Sequence, residues 1–300
     1  MIGLILAMFS GFSHCLSSIL IRRGVYHSDE SFTPIPISNF TGTVLFGLTI
    51  LISGNAVQLK FLSWIGVGYL AAAGVLHFII GRLLAYIGLR LIGANRSSPV
   101  ITCNILVSAL LGVFFLGEPL TVYLFLALFL IIVGIILISR TGGSEASREE
   151  MAKGSLTKGL VATLGAALCW GISPFLVKVG LQEVNSPVIA TFISYAAAAI
   201  VAGILLIHPE NSEKLRRLDQ KSLIPIGTGA VTTSIAHILR YTALTYSPVS
   251  LVVPLIVSIN GLLVFPLSFL VNKRIEAFNL KIILGAIVII VGVLFILRAA

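Results

Sequence analysis

The sequence predicts an all-α integral membrane protein with ten transmembrane helices, arranged as two inverted five-helix repeats. Of its 300 residues, 57% are hydrophobic and only 10% are charged, and the mean hydropathy is +1.08. Soluble domains carry about 25% charged residues, whereas a helix that spans a bilayer core needs about 20 apolar residues. Ten such helices occupy about 200 residues. The remaining residues suffice only for short loops, so the sequence excludes a large soluble catalytic domain.

Ten apolar runs fit membrane spans, five on each side of a polar linker. The first run lacks the basic start and cleavage site of a secretory signal, so it counts as a permanent span. The most polar stretch, TGGSEASREEMAKGS at 141–155, links a first repeat at 1–140 to a second at 156–300. The predicted spans are 2–21, 34–53, 62–89, 97–116, 121–139, 159–177, 188–207, 222–244, 248–271 and 279–297.

Matching residues recur in the two halves in the same order. At a shift of 156 residues, Gly3-Leu4 matches Gly159-Leu160 and Arg22-x-Gly24 matches Lys178-x-Gly180. Later pairs, at shifts of 155 or 158, are Tyr86 with Tyr241, Pro99 with Pro254, Glu118 with Glu276 and Gly134 with Gly292. An odd number of spans in each half gives two homologous halves opposite orientations in the membrane. This is the inverted-repeat plan in which alternating access arises from exchange of the conformations of the halves.

Three short motifs carry a resemblance to a known family. They are Pro99, GEPLT (117–121) and Gly134 in the first half, Pro254, RIEAFN (274–279) and Gly292 in the second, and Cys169-Trp170-Gly171 in span six. In these motifs each half resembles an EamA domain of the drug/metabolite transporter superfamily, over nearly the whole chain. The resemblance implies a ten-helix carrier of small metabolites with a central cavity. Span one departs from it, with Ser13-His14-Cys15 at the Trp-Gly position, and the substrate is not implied.

Basic residues are distributed unequally between the two predicted sides. The side with both termini holds three, Lys60, Lys178 and Arg298, and the other holds fifteen; Arg82 and Arg240 within spans complete the 20. The positive-inside rule therefore predicts a multi-pass protein of the cell membrane with both termini outside. The basic residues lie in loops without interleaved aromatic residues, so we expect lipid headgroups rather than nucleic acid as their partners.

No acidic residue lies at membrane depth, because all 11 fall in predicted loops or span ends. A proton-coupled exporter of organic cations relies on an intramembrane carboxylate, so the pattern counts against that class. It favours a neutral, zwitterionic or anionic substrate such as an amino acid. We interpret the repeat-equivalent Glu118 and Glu276 as capping or hinge residues before the helices that follow them, spans five and ten, rather than as substrate ligands.

Polar side chains inside spans are costly and therefore indicate a substrate site. Arg82 and Tyr86 lie one turn apart in span three, and their counterparts in span eight are His237 and Tyr241. We expect the two pairs to line opposite ends of one path. Snorkelling to the headgroups is an equal alternative for Arg82 and the favoured one for Arg240. The candidate substrate-binding residues are Arg82, Tyr86, His237, Tyr241, Arg240, Asn104, Trp170 and His14.

Other polar residues have simpler interpretations. His14 forms a polar stripe in span one with Ser10, Ser13, Ser17 and Ser18, and close helix packing is the alternative interpretation of the serines. His77 is interpreted as a lone, satisfied histidine of the bundle. Three cysteines lie apart in apolar runs and no histidine has metal-ligand spacing, so we predict no metal, cofactor or disulfide. Walker A, GxSxG, HExxH and GxGxxG motifs are absent from the sequence. We therefore predict neither ATP drive nor an enzyme, and catalysis by a membrane histidine is the weak alternative.

Together these features predict a secondary transporter that moves a small metabolite by alternating access. Facilitated diffusion, exchange and histidine-based proton coupling all stay open as its drive. One alternative is broad-specificity efflux of hydrophobic compounds, and an alternative from another class is a non-transporting membrane scaffold or sensor. Substrate identity, direction and oligomeric state are not determined by the sequence.

Overall fold

The computed structural model describes residues 1–28, 32–54, 57–59, 62–139, 153–271 and 280–299, and is all-helical apart from short turns. A π-helical segment, Val75–Ile80, joins α3 to α4 in one continuous rod. The helices are α1 Ile2–Ser28, α2 Pro34–Ile52, α3 Trp64–Gly74, α4 Gly81–Ile92, α5 Ala94–Thr102, α6 Asn104–Leu116, α7 Val122–Ser139, α8 Lys153–Val184, α9 Pro187–Leu206, α10 Pro209–Arg216, α11 Gln220–Tyr246, α12 Val249–Val271 and α13 Leu280–Ala299.

Most of these helices are long and apolar enough to cross a bilayer. Within the described ranges, seven such stretches are found, at predicted spans one to four and six to eight. Shorter apolar stretches occupy the positions of spans five, nine and ten: Val122–Leu137, Val249–Val264 and Ile283–Ala299. The prediction of an all-helical, multi-pass membrane fold is confirmed, and the count of ten spans stays a prediction. The linker predicted at 141–155 lies largely outside the described residues.

Helices of one half pack mainly on helices of the other half. The most extensive contacts join α1 to α11 and α12, α13 to α7, and α8 to α3 and α4. An added Cβ on Gly24 of α1 would lie 2.5 Å from the side chain of Ile226, and one on Gly180 of α8 would lie 2.6 Å from Leu70. Gly24 and Gly180 differ by 156 residues, and so do Leu70 and Ile226. The same contact therefore occurs twice, once in each half of the repeat.

Beyond the π-helical segment the offset between spans three and eight changes. Gly3 of α1 packs against Ser247, and Gly159 of α8 packs in the equivalent way against Ile92. The two glycines still differ by 156 residues, but Ile92 and Ser247 differ by 155. Span three thus holds one residue more than span eight between Leu70 and Ile92. A π turn accommodates one additional residue in a helix, so Val75–Ile80 is the position of that extra residue.

Predicted span four is interrupted rather than continuous. Gly93, at φ +73°, ends α4 and lets the chain turn directly into α5. Pro99 lies inside α5, and α5 ends at Thr102. The N–H of Cys103 bonds to the carbonyl of Val100 at 3.1 Å, a tight turn from which α6 restarts. A proline inside a helix removes one backbone hydrogen bond and weakens the helix at that point.

Candidate functional site

Three histidines from three predicted spans meet near the middle of their helices. The ring centroids of His14 in α1 and His237 in α11 are 4.8 Å apart, and those of His237 and His77 in the π-helical segment are 5.2 Å apart. His237 is 1% exposed, and neither of its ring nitrogens has a hydrogen-bond partner among the described residues. The interpretation of His77 as a lone, satisfied histidine is therefore wrong. The three rings form a row, His14–His237–His77.

Arg240 is buried beside this row. Its Nη1 lies 3.4 Å from Nε2 of His77, and the side chain is only 6% exposed. A guanidinium can only donate, so Nε2 of His77 accepts and the ring proton lies on Nδ1. A snorkelling arginine keeps its charged end at the surface, so the favoured interpretation of Arg240 is wrong. In the part of the chain that the structure describes, no carboxylate forms an ion pair with Arg240.

Arg82 reaches the same region through Phe78. Its guanidinium carbon lies 5.6 Å from the centroid of the Phe78 ring, one helical turn towards the middle of the span. Phe78 is fully buried, and its ring is 4.7 Å from the ring of His237. Arg82 precedes the end of α4 at Ile92 by about 15 Å of helix. Arg82 and His237, which were expected at opposite ends of a path, both contact one phenyl ring.

Trp170 supports the π-helical segment from α8. Its indole Nε1 donates to the carbonyl oxygen of His77 at 3.0 Å, and the two rings are 5.9 Å apart. Gly81 allows this approach, because an added Cβ would lie 2.5 Å from the indole nitrogen. Trp170 and His14 occupy equivalent positions of the two repeats, 156 residues apart. Each therefore contacts a histidine of the opposite half, Trp170 at His77 and His14 at His237.

Tyr195 closes the cluster from α9 and was not indicated by the sequence pattern. Its ring is 4.4 Å from that of Phe78 and 5.8 Å from that of His237. The ring packs directly on Gly42 of α2, where the missing side chain leaves room for it. The signal in the sequence was a single tyrosine beside the alanine run of span seven, at 196–199. Phe78 had no signal beyond its position next to His77.

The family resemblance that the short motifs indicated is also found when the whole chain is compared with a family model. The family model of the EamA-like transporter family matches residues 1–140 and 157–298, which together make up nearly the whole chain in two copies. The chain belongs to the EamA-like transporter family. Members of this family are membrane transporters of the drug/metabolite superfamily rather than enzymes. No curated protein matches the chain.

Solved structures share the fold of this EamA-like transporter. One crystal structure, described only as that of a protein, aligns with 98% of this chain and 98% of its own length at a TM-score of 0.75. The sequence identity is 14%, so the likeness concerns the fold alone. In all, 28 chains of solved structures match.

Not every candidate residue of the EamA-like chain joins the histidine row. Tyr86 packs at the edge of the Phe78–Tyr195 cluster. Tyr241 is 2% exposed and lies in the main apolar core between the two halves. Asn104, 8% exposed, begins α6, where its carbonyl oxygen lies 3.0 Å from an added Cβ on Gly171, next to Trp170. Tyr241 and Asn104 therefore lie outside the row of ring contacts.

The polar residues on the facing sides of α1 and α11 divide into two groups. Ser10 donates to the carbonyl oxygen of Ala236 at 2.7 Å, and Ser17 donates to that of Gly229 at 3.0 Å. The hydroxyls of Ser17 and Thr233 also bond to each other. The packing interpretation of these serines is confirmed for Ser10 and Ser17. The second group consists of His14 and His237, whose rings are in contact but are not joined by a hydrogen bond.

Glu118 caps a different helix from the one expected. Its carboxylate accepts from the N–H groups of Val249 and Ser250, at 2.6 and 2.8 Å, which begin α12 in the opposite half. It therefore does not cap α7. The Lys178 ammonium donates to the carbonyl oxygens of Leu244 and Ser247 at 2.5 and 3.2 Å, on the other side of the same turn. Glu276 lies outside the described residues.

The site thus combines the guanidinium groups of Arg82 and Arg240 with the three imidazoles of the row and the aromatic rings that contact them. The described acidic residues lie in loops, at the end of α8 or on the short polar helix α10: Glu118, Glu183, Glu210, Glu213 and Asp219. Within the same residues no group of histidine, cysteine and acidic side chains is placed to hold a metal ion. A buried cluster of hydrogen-bond donors with positive charge can bind an anion.

Proposed function

We propose that this EamA-like transporter is a ten-helix secondary carrier of small organic anions in the cell membrane, with both termini outside. A carboxylate or phosphate group of the substrate binds between Arg240 and Arg82, and transport follows from alternating access of the two inverted halves. The observation that carries the proposal is the burial of Arg240 at 6% exposure, with a nitrogen of His77 as its only hydrogen-bond partner among the described residues.

A guanidinium removed from water needs a counter-charge. Burial of an unpaired charge costs several kcal/mol, and charged residues at membrane depth mark substrate or ion paths. Nε of Arg240 has no partner among the residues described. The planar guanidinium matches carboxylate and phosphate groups in a bidentate geometry. An anionic substrate therefore completes the site that the chain leaves incomplete.

The same residues favour an organic anion over an amino acid. The ammonium group of an amino acid needs an acceptor, and none of the described carboxylates lies in the interior of a span beside the histidine row. The partly exposed ring of Trp170 offers apolar surface beside His77. A substrate with one anionic group and a short carbon skeleton satisfies both the charged and the apolar parts of the site.

Both halves contribute to the site, as alternating access requires. His14, His77 and Arg82 belong to the first half, and Trp170, His237 and Arg240 belong to the second. A rocking motion of one half against the other therefore changes the separation of the groups that bind the substrate. Broad efflux of hydrophobic compounds and a non-transporting scaffold are the alternatives, and neither requires a buried arginine.

A thermal-shift screen of the purified protein tests the proposal. The panel consists of succinate, lactate, isethionate, sulfate, glycerol 3-phosphate, glycine, glucose and tetraphenylphosphonium. A ligand at 100 times its dissociation constant stabilises the folded protein by about 2.7 kcal/mol. We expect stabilisation by anions, its loss in Arg240→Gln and Arg82→Ala, and its retention in Arg90→Gln, which alters an exposed arginine of α4.

Uptake into proteoliposomes separates the alternatives. The organic anions that stabilise the protein should be taken up by the wild type and not by Arg82→Ala, which should fold normally. Stabilisation by the lipophilic cation alone, or uptake that is indifferent to Arg82→Ala, contradicts the anion site and favours broad efflux. An absence of flux for every member of the panel favours the scaffold.

A further inference from the structure

We propose that anion binding is coupled to the uptake of one proton by His237, so that the carrier moves an anion and a proton together. This inference rests on the proposed anion site and adds a second ligand to it. The proton site is the central ring of the row His14–His237–His77.

Both ring nitrogens of His237 are buried and lack a hydrogen-bond partner in the described structure, whereas the side chain of His14 is only partly buried. A neutral imidazole has one donor and one acceptor nitrogen, so His237 buries an unused acceptor at 1% exposure. His77 differs, because its Nε2 already accepts from Arg240 at 3.4 Å. The free acceptor of His237 is the position at which a proton adds without breaking an existing hydrogen bond.

The groups around His237 set the charge balance of the site. His14 faces it from α1, His77 and Phe78 from the π-helical segment, and Tyr195 from α9. The helix α2 has no titratable side chain and neither has α12. Of the other titratable or charged groups on the neighbouring helices and on its own helix, those in the interior of the spans are Arg82 and Tyr86 on α4, Cys15 on α1, Cys169 on α8, and Arg240 and Tyr241 on α11. Those towards the helix ends are Arg22, Arg23, Tyr26, Arg90, Lys158, Lys178, Glu183, Lys221 and Tyr246.

Two of these neighbours, Arg82 and Arg240, bring positive charge close to the row. A proton on His237 of the empty site would add a third positive charge in a region removed from water, where repulsion between charges is strong. A bound anion offsets part of that repulsion and so lowers the free-energy cost of the proton on His237. Because linkage is reciprocal, the proton increases the affinity for the anion by the same factor.

The transported proton follows a simple path through the cycle. It leaves water on the entry side, forms an N–H bond with the free ring nitrogen of His237 as the anion binds, and returns to water on the exit side with the anion. No other covalent bond forms or breaks. The coupling therefore needs no ion besides the proton.

Proteoliposomes with an internal pH dye provide the test. Isethionate, sulfate and succinate at pH 7–8 are suitable probes because they stay ionised and do not carry protons across the bilayer as neutral acids. For the wild type we expect anion uptake with internal acidification, and an apparent affinity that increases by up to about tenfold per unit decrease in pH. In His237→Gln, acidification and the pH dependence should be lost. His208→Gln, which alters an exposed histidine outside the row, should behave as the wild type.

The outcomes separate this inference from the proposed function. Anion uptake by the wild type without acidification overturns proton coupling and leaves the anion carrier intact, whether or not His237→Gln folds. Equal acidification in the wild type and a folded His237→Gln protein also overturns it. If the wild type takes up none of the probes or of the other anions of the screen, the proposed function fails and the coupling fails with it.

Discussion

The guanidinium of Arg240 lies 3.4 Å from the imidazole of His77, and this contact joins the second half of the chain to the first. Neither residue has an exact counterpart of the same type in the other repeat. At the shift of 155 residues Arg240 corresponds to Ala85, and His77 lies in the π turn of span three, which the equivalent helix α11 does not have. The contact between Arg240 and His77 thus lies at positions where the two repeats differ, whereas the helices that hold these residues follow the repeat closely.

Replacement of Arg240 by methionine should separate stability from binding. A buried charge without a carboxylate is costly, and an apolar replacement of similar volume is often neutral or stabilising by about 1–4 kcal/mol. We expect the melting temperature of Arg240→Met to equal or exceed that of the wild type, with complete loss of stabilisation by anions. Strong destabilisation of the variant would instead show that Arg240 has a structural role.

Deletion of Leu76 should remove the π turn. The deletion restores equal lengths to spans three and eight, so the segment Val75–Ile80 can continue as α-helix. We expect a folded protein that no longer places His77 against Arg240 and no longer binds anions in the thermal-shift screen. Deletion of Val231 from α11, which has no π turn, is the control and should impair folding. Retained anion binding in the Leu76 deletion would contradict a role for the π turn.

Replacement of Glu118 by glutamine should destabilise the turn between α11 and α12. The carboxylate accepts two buried backbone N–H groups, and the amide retains one acceptor oxygen while adding donors that cannot bond there. We expect a decrease in the unfolding free energy of about 1–3 kcal/mol, measured by thermal unfolding. Glu183→Gln, an exposed carboxylate at the end of α8, should have no measurable effect.

Alanine at Gly24 and at Gly180 should have the same effect, because the two contacts are repeat-equivalent. An added Cβ would lie 2.5 or 2.6 Å from a neighbouring side chain, and overpacking of this kind costs about 1–3 kcal/mol. Gly227→Ala, where nothing lies within 4 Å, should be neutral or stabilising by up to about 1 kcal/mol. A large difference between the first two variants in thermal unfolding would contradict the equivalence of the halves.

The orientation predicted from charge can be tested on intact cells. With both termini outside, a tag fused after residue 300 should be removed by external protease. A cleavage site inserted at 145–147 should be cut only after the membrane is permeabilised. The opposite pattern of protection would reverse the orientation and leave the fold unchanged.

Several features were determined by the sequence alone. Membrane helices follow from apolar runs of about 20 residues, since the backbone must bond internally wherever water is absent. The two repeats follow from ordered pairs such as Gly24 with Gly180, because a helix crossing that requires glycine requires it at the same position of each copy. His14, Trp170 and His237 were identified because polar or large aromatic groups at membrane depth are rare.

Other features were decided only by the tertiary structure. The π turn has no pattern of its own in the sequence, so the position of His77 depended on contacts that fix the offset of two distant spans. The depth of Arg82 and the burial of Arg240 depended on neighbouring helices, since a long flexible side chain can reach either a headgroup or a core from the same Cα. Glu118 caps α12 rather than α7 because the packing of the helices brings the N-terminus of α12 within hydrogen-bond distance of its carboxylate. Periodicity and composition are local properties, whereas these choices arise from contacts between residues far apart in the chain.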